Sequence, residues 1–253
     1  MPSPAAIRVQ IETTLAHQVP AALTLKIKQA PELFPTRINE VDAIPGGGVP
    51  RGSITEVAGA ASTGKISFEL CAIAAITQSG AACAWVDATD ALSPESAAAA
   101  NIVLKRFRMS AERKQRVTDK PWSRLEQALK ATDLLLQAGG FAAIVLDMSD
   151  GLPQHTMRIP LATWYRLRLR AEQARTALIL LSQAPCANSC AALALRCEPA
   201  SIQPFSANGE TALFERQQYT LARERNRNEG SPLLHKKPST RAESHAETLW
   251  SSG

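Results

Sequence analysis

One short stretch constrains the fold of this chain more than any other: Gly-Ala-Ala-Ser-Thr-Gly-Lys-Ile-Ser at residues 59–67. The apolar residues 54–58 before it predict a strand, and the alanine- and isoleucine-rich residues 67–79 after it predict a helix. A glycine-rich turn between strand and helix, closed by Gly-Lys, is typical of a phosphate-binding loop. Its backbone N–H groups and the positive helix end attract phosphate, and the lysine adds a mobile cation. We therefore predict a strand–loop–helix unit that binds phosphate.

The predicted nucleotide contacts come from this loop and from Asp147, which ends a later apolar strand. The residue after the lysine of such loops is normally Ser or Thr and holds Mg²⁺, but here it is Ile66. Ser67 is the nearest hydroxyl, although the next residue of a helix points about 100° away. ATP and Mg²⁺ are the expected cofactors, with Ser67 and Asp147 as the candidate Mg²⁺ contacts. The predicted loop contacts are Gly59, Ala60, Ala61, Ser62, Thr63, Gly64, Lys65, Ile66 and Ser67.

The alternative to nucleotide binding is a loop that serves only the fold. In that case Lys65 would be solvated or paired with Asp147. The sequence of the loop by itself leaves both interpretations open.

Apolar strands alternate with helices along the chain, which predicts an α/β fold with a mostly parallel central sheet flanked by helices. Strands at residues 81–86, 141–147 and 177–183 lead to Asp87, Asp147 and Gln183, and helices are predicted at 122–138 and 159–175. Ligands of such sheets bind at the carboxyl ends of the strands. We therefore expect these three polar side chains to lie near the loop. Gln183 lies where a sensor of the terminal phosphate would lie, or it is simply a turn residue.

The domain organisation follows from changes in pattern. Residues 1–40 predict a short helix, with apolar positions Ile7, Ile11 and Leu15, and a linker. Residues 41–222 form the core domain, and the polar residues 223–253 predict a disordered tail. Within the core we also expect a helix at 94–107, an exposed basic segment at 105–120 and a strand at 191–196. A last strand at 213–222 has the alternation of an antiparallel edge strand.

Composition narrows the class of protein. A hydrophobic content of 45% supports a folded chain, and no apolar run approaches the roughly 20 residues of a membrane span. The amino terminus lacks the pattern of a signal peptide, so we predict a cytoplasmic protein without membrane partners. The spacing of the five cysteines favours buried, reduced thiols.

The net charge of +5 is unevenly distributed, because residues 101–135 carry nine Lys/Arg against four Asp/Glu. Such a basic region suits single-stranded DNA or an acidic protein surface. It is equally consistent with solvated helix faces.

Four stretches together resemble the core of the RecA recombinase family: residues 49–59, the loop, residues 84–94 and residues 178–183. The resemblance implies a RecA-like ATPase fold and a role in DNA repair, and it places Asp147 at the second nucleotide motif of the family. Thr89 occupies the place of the family's catalytic glutamate. Asp90, one residue later, and Gln183 are the remaining catalytic candidates.

Residues 45–52 also resemble the proline- and glycine-rich entry of ImuA-type proteins. This resemblance implies an accessory factor of the SOS response that assists an error-prone polymerase in translesion synthesis. With Ile66 and Thr89 in place, we expect weak or no ATP hydrolysis. The expected partners are a repair or polymerase-associated protein, single-stranded DNA and further copies of the chain. The alternative is an active DNA-dependent ATPase in which Asp90 and Ser67 replace the missing groups.

Overall fold

The computed structural model describes residues 32–35, 42, 47–111, 121–151, 153–199, 216–226 and 241–247, all within the unit Pro31–Gly253. The helix predicted near residues 4–17 lies outside the described residues. The described chain begins with two short antiparallel strands, β1 (Leu33–Phe34) and β2 (Val49–Pro50). They lead into the strand that carries the phosphate loop.

An eight-stranded sheet forms the centre of the fold, in the order β10-β9-β8-β3-β7-β6-β4-β5. The six strands from β8 to β5 are parallel to one another, and β9 and β10 add antiparallel pairs beyond β8. The mostly parallel sheet agrees with the predicted α/β class. The strands are β3 (Ile54–Ala58), β4 (Cys83–Asp87), β5 (Phe107–Ala111), β6 (Ala143–Asp147), β7 (Ala177–Ser182), β8 (Ala191–Pro199), β9 (Arg216–Asn226) and β10 (Arg241–Glu247).

Helices cover both faces of the sheet, because successive side chains of a strand point to opposite faces. One core joins the first helix to the face that carries Trp85, Val145 and Ile179. The other core joins the third and fifth helices to the face that carries Ile144 and Leu180. The helices are α1 (Lys65–Gln78), α2 (Pro94–Ala99), α3 (Pro121–Ala138), α4 (Pro153–Thr156) and α5 (Leu161–Ala174), with 3-10 turns at Leu104–Arg106 and Asn188–Cys190.

The helix predicted at residues 94–107 is shorter than expected, because α2 ends at Ala99. Asn101 takes a left-handed conformation with φ 62°, which interrupts the helix. Phe107 then begins β5 and packs edge-to-face on Trp85, with ring centroids 6.5 Å apart. The aromatic contact stabilises a strand that begins at the last residue of the predicted helix and runs into the segment predicted to be basic and exposed. Lys105 and Arg106 are exposed as predicted, and residues 112–120 lie outside the described part.

The carboxy-terminal part differs from the prediction in two ways. β9 is antiparallel to β8 as expected, but it is not an edge strand, since β10 pairs with its other side. β10 lies within residues 223–253, where the sequence predicts disorder. Its residues include no β-branched or aromatic side chain that signals a strand, and the pairing with β9 supplies the backbone hydrogen bonds instead. Residues 227–240 and 248–253 lie outside the described residues.

None of the helices in the described ranges is long and apolar enough to cross a membrane.

Candidate functional site

The phosphate loop lies at the carboxyl end of β3 and is held there by two neighbouring strands. The Gly59 N–H donates to the Ser182 carbonyl at the end of β7, at 3.1 Å. A Cβ at Gly59 would lie 2.5 Å from the backbone oxygen of Cys197 in β8, so only glycine fits between these strands. Gly64 precedes α1 with φ 84°, a left-handed conformation that also favours glycine. Glycine is therefore required at position 59 by the close neighbouring strand and is favoured at position 64 by the left-handed backbone.

Lys65, the first residue of α1, folds back over its own loop. Its side chain is only 3% exposed, and its Nζ donates to the carbonyls of Gly59 at 2.7 Å and Ala60 at 3.0 Å. Burial lowers the pKa of Lys65, while the charge of Asp147 opposes this shift. Within the described chain, no ion pair joins Lys65 to Asp147. The ammonium group thus lies inside the loop, where a phosphate group would compete with the two carbonyls for its protons.

Asp147 lies at the end of β6 and is 2% exposed. Its Oδ1 accepts a hydrogen bond from the Ser149 N–H at 2.9 Å. Burial raises the pKa of Asp147 to about 6, although the hydrogen bonds from Ser149 oppose this shift. The Asp147 carbonyl also accepts from the Ala88 N–H at 3.0 Å, and the Met148 N–H donates to Leu181 at 2.9 Å. Backbone bonds therefore hold the ends of β4, β6 and β7 side by side.

The residue after the loop lysine, whose hydroxyl normally binds Mg²⁺, is an isoleucine here and packs against the core. Ile66 is half-buried against the core under α1, and Ser67 beside it is also half-buried. Asp147 remains as a carboxylate close enough to Lys65 to influence its pKa. No group of three or more His, Cys, Asp or Glu among the described residues is arranged to hold a metal ion. The loop residues are those that would hold the phosphates of a nucleotide, and Asp147 is the carboxylate that would contact its Mg²⁺.

The turn after β4 is organised entirely around Asp87, which is fully buried. Its carboxylate accepts five hydrogen bonds within this turn, four from backbone N–H groups and one from the Thr89 hydroxyl at 2.9 Å. Asp90 follows with φ 59° and is exposed. The carboxylate of Asp87 is therefore occupied inside its own turn, and the Thr89 hydroxyl is bound to it.

The structure places Gln183 directly after Ser182, the residue that binds the start of the phosphate loop, and its side chain is half-buried. This position is compatible with the predicted role as a phosphate sensor. The roles of Gln183 and Asp90 remain predictions.

Two buried carboxyl groups near the loop were not predicted. Glu56 in β3 accepts hydrogen bonds from the backbone N–H groups of Cys186 at 2.6 Å and Ala187 at 3.0 Å. Glu69 in α1 is fully buried, and neither of its carboxyl oxygens has a hydrogen-bond partner. Burial raises the pKa of Glu69 to about 8, and the charge of Asp147 adds to this shift. An acidic residue inside the apolar sequence of α1 is the signal that could have drawn attention to Glu69.

The five cysteines are free thiols, and one of them contacts the loop. The Cys197 thiol of β8 donates to the Thr63 carbonyl, with Sγ and O 2.9 Å apart. This contact ties the phosphate loop to β8, and Glu56 ties the strand before the loop to the turn that precedes β8.

The comparisons with known proteins agree with this geometry. The family model for the RecA N-terminal domain matches residues 8–159 of the chain. The chain belongs to the RecA family. It is similar to Protein RecA of Streptomyces rimosus, at 30% identity over 139 residues, which are 54% of this chain and 34% of that protein. Protein RecA of Saccharopolyspora erythraea is 38% identical over 117 residues, 46% of this chain and 31% of that protein.

A third relative of this RecA-family chain is Protein RecA of Deinococcus radiodurans, at 29% identity over 151 residues, 54% of this chain and 39% of that protein. The matched stretches thus span only about a third of the length of these relatives. Among solved structures, the RadB recombinase superimposes with a TM-score of 0.57 at 14% identity, over 85% of this chain and 96% of that chain. The structural likeness confirms the predicted RecA-like fold.

Proposed function

We propose that this RecA-family chain is an accessory protein of DNA repair that binds ATP and hydrolyses it slowly or not at all. One combination of contacts supports the proposal: Lys65 lies inside the loop, and the two positions where catalytic groups are expected make other contacts. Ile66 packs against the core, and the Thr89 hydroxyl is bound to Asp87. The resemblance to ImuA-type proteins supports the finer assignment to the SOS response and translesion synthesis.

The loop residues would hold the phosphates of ATP, with Lys65 supplying the cation at its centre. When bound, Mg²⁺ neutralises charge on the phosphates and orients them. Asp147 would serve this ion without the usual hydroxyl partner. We therefore infer that nucleotide binding is retained, and that its dependence on Mg²⁺ is weaker than in an ATPase with an intact site.

Hydrolysis needs a group that positions and activates the attacking water. Thr89 cannot accept a proton as a carboxylate can, and Asp87 already accepts five hydrogen bonds. A general base contributes about 10²–10⁴-fold to a reaction rate. We expect ATP turnover to be lower than that of an active recombinase by a factor in this range.

The proposal is tested by measuring ATP binding and ATP turnover on the same preparation, with and without single-stranded DNA. Equilibrium dialysis should show binding that Lys65→Ala abolishes and that Lys130→Ala, on an exposed part of α3, leaves unchanged. Turnover should stay near background in all three proteins. Rapid turnover that depends on DNA, on Lys65 and on Asp90 would instead establish the active ATPase. Absence of ATP binding would leave a loop that serves only the fold.

The partners are inferred from charge and position. β5 is an edge strand of the sheet. Lys105 and Arg106 in the turn before it and Arg108 within it are exposed. We propose that this edge meets single-stranded DNA or an acidic surface of a repair or polymerase-associated protein. Charged residues also protect edge strands from aggregation, and that function alone would explain them. We also propose that the protein acts in the cytoplasm and assembles with further copies of the chain.

A further inference from the structure

A cavity of about 310 Å³ opens at the carboxyl ends of β4 and β6. Its size is at the lower end of the range of about 300–1,000 Å³ that is usual for small-molecule sites. It combines an apolar floor with a few polar and charged side chains, as ligand sites do. The lining residues are Ala88, Thr89, Arg124, Leu125, Met148, Asp150, Gly151, His155 and Thr156.

The polar groups of this cavity have unused hydrogen-bonding capacity. The Nε of Arg124 is buried and has no hydrogen-bond partner, which is unusual for a buried polar atom. Asp150 is exposed, and no ion pair joins it to Arg124 within the described residues. The cavity thus offers a cationic donor and an anionic acceptor that do not satisfy each other. Its floor includes the buried side chains of Leu125 and Met148.

The cationic donor, the anionic acceptor and the apolar floor together favour some classes of ligand over others. A phosphate group would match Arg124 but would be repelled by Asp150. A free amino acid would match both charges, but only one with an aromatic side chain also offers a flat surface to the apolar floor. A guanine base has two acceptors on one edge, O6 and N7, that an arginine binds in bidentate fashion. Its N1–H and N2–H₂ groups are donors that a carboxylate accepts, and its ring is flat and apolar on both faces.

We propose that this cavity binds a guanine base, with Arg124 donating to its acceptor edge and Asp150 accepting from its N–H groups. Leu125 and Met148 contact the ring. The imidazole of His155, which also lines the cavity, provides a further flat surface. The base comes either from a free nucleoside or from an unpaired position of a nucleic acid strand, and the chemistry of recognition is the same.

Calorimetric titration with guanosine tests the proposal, because guanosine has no phosphate and does not depend on the phosphate loop. Arg124→Gln and Asp150→Asn should each weaken guanosine binding by about tenfold or more. The control Lys130→Gln, on the exposed side of α3, should stay within about twofold of the wild type. Adenosine, with an amino group in place of O6, should bind about tenfold more weakly than guanosine.

Equal affinity of the wild type and Arg124→Gln for guanosine would overturn the proposal, as would equal affinity for guanosine and adenosine or the absence of guanosine binding. Asp150 lies on an exposed turn, so Asp150→Asn keeps the test valid if Arg124→Gln fails to fold. Circular dichroism of each variant checks this point.

A second titration separates the two sources of the base. It compares a thymidine homopolymer with the same strand carrying one central guanine. A higher affinity for the guanine strand that is lost in Arg124→Gln would assign the cavity to unpaired bases in DNA. Equal affinity for both strands, beside guanosine binding that requires Arg124, would assign it to free nucleosides.

Discussion

Glu69 is an ionisable side chain in an apolar, buried environment. It lies one helical turn after Lys65, fully buried, with neither carboxyl oxygen hydrogen-bonded. A buried carboxylate without partners is costly, so the group takes up a proton instead, and its pKa is raised to about 8. The proton is bound in the folded state over a pH range in which an unfolded glutamate is ionised. Burial of Glu69 therefore makes stability depend on pH.

We predict that Glu69→Gln flattens the dependence of the unfolding free energy on pH. With a folded pKa above the unfolded one, the contribution of Glu69 is fully present below about pH 4.5 and is lost as pH rises through about 8. The full loss is on the order of 5 kcal/mol. Urea denaturation between pH 5 and pH 9 measures it. Asp147 has a raised pKa of the same sign and is present in both proteins, so it enters the difference only through its charge interaction with Glu69.

The control for this measurement is Glu172→Gln, on an exposed face of α5, which should keep the slope of the wild type. Parallel pH curves for Glu69→Gln and the wild type would show that Glu69 is ionised in the folded protein.

At the scale of elements, Glu56 joins two segments that are distant in sequence. It lies in β3, three residues before the phosphate loop, and its carboxylate accepts from two backbone N–H groups in the turn after β7. The Gly59 N–H adds a bond to the end of β7. The Glu56 carboxylate and the Gly59 N–H together hold the loop beside the segment that contains Gln183.

We predict that Glu56→Ala lowers the unfolding free energy by about 2–4 kcal/mol, because it leaves two buried N–H groups without an acceptor. Glu56→Gln keeps a carbonyl acceptor and should cost less. Hydrogen exchange resolved by residue should show faster exchange of the Cys186 and Ala187 amides in the alanine variant. Unchanged exchange at these two amides would contradict the assigned role.

The elements that could be predicted share one property, a long apolar pattern with clear ends. β6 and β7 are fully buried runs that end in polar residues, and α3 ends at a pair of glycines. β5 and β10 could not be predicted, since their residues become strands only through pairing with β4 and β9. Tertiary pairing outweighed the local pattern in both cases.

The same limit applies to the candidate site. Lys65 and Asp147 could be proposed as site residues from the sequence, because a motif and a strand end mark them. Glu56, Glu69 and the cavity near Arg124 were not, because they depend on which face of an element a side chain occupies. Sequence spacing does not specify contacts such as that between Glu56 and Cys186, which are 130 residues apart.

At the scale of the whole molecule, the apolar pattern of residues 1–20 predicts a contact that the proposed function does not explain. Ile7, Ile11 and Leu15 have helical spacing, and an isolated helix of this length is not stable alone. We propose that it packs on a neighbouring copy of the chain.

Deletion of residues 1–20 should then lower the mass measured by light scattering, because the apolar contact between copies is removed. Ile11→Asp in the full chain should have the same effect without shortening it, whereas Glu12→Gln should have none. An unchanged mass in both the deletion and Ile11→Asp would contradict the proposal.

The turn held by Asp87 also sets a limit on how this site could change in evolution. A glutamate at position 89 would remove the hydroxyl that donates to Asp87 and would bring a second negative charge beside it. A hydroxyl at position 66 would remove apolar contact from the base of α1. Each of these two substitutions alone would therefore lower stability. Under the proposed function, efficient hydrolysis would require a compensating change elsewhere in the fold.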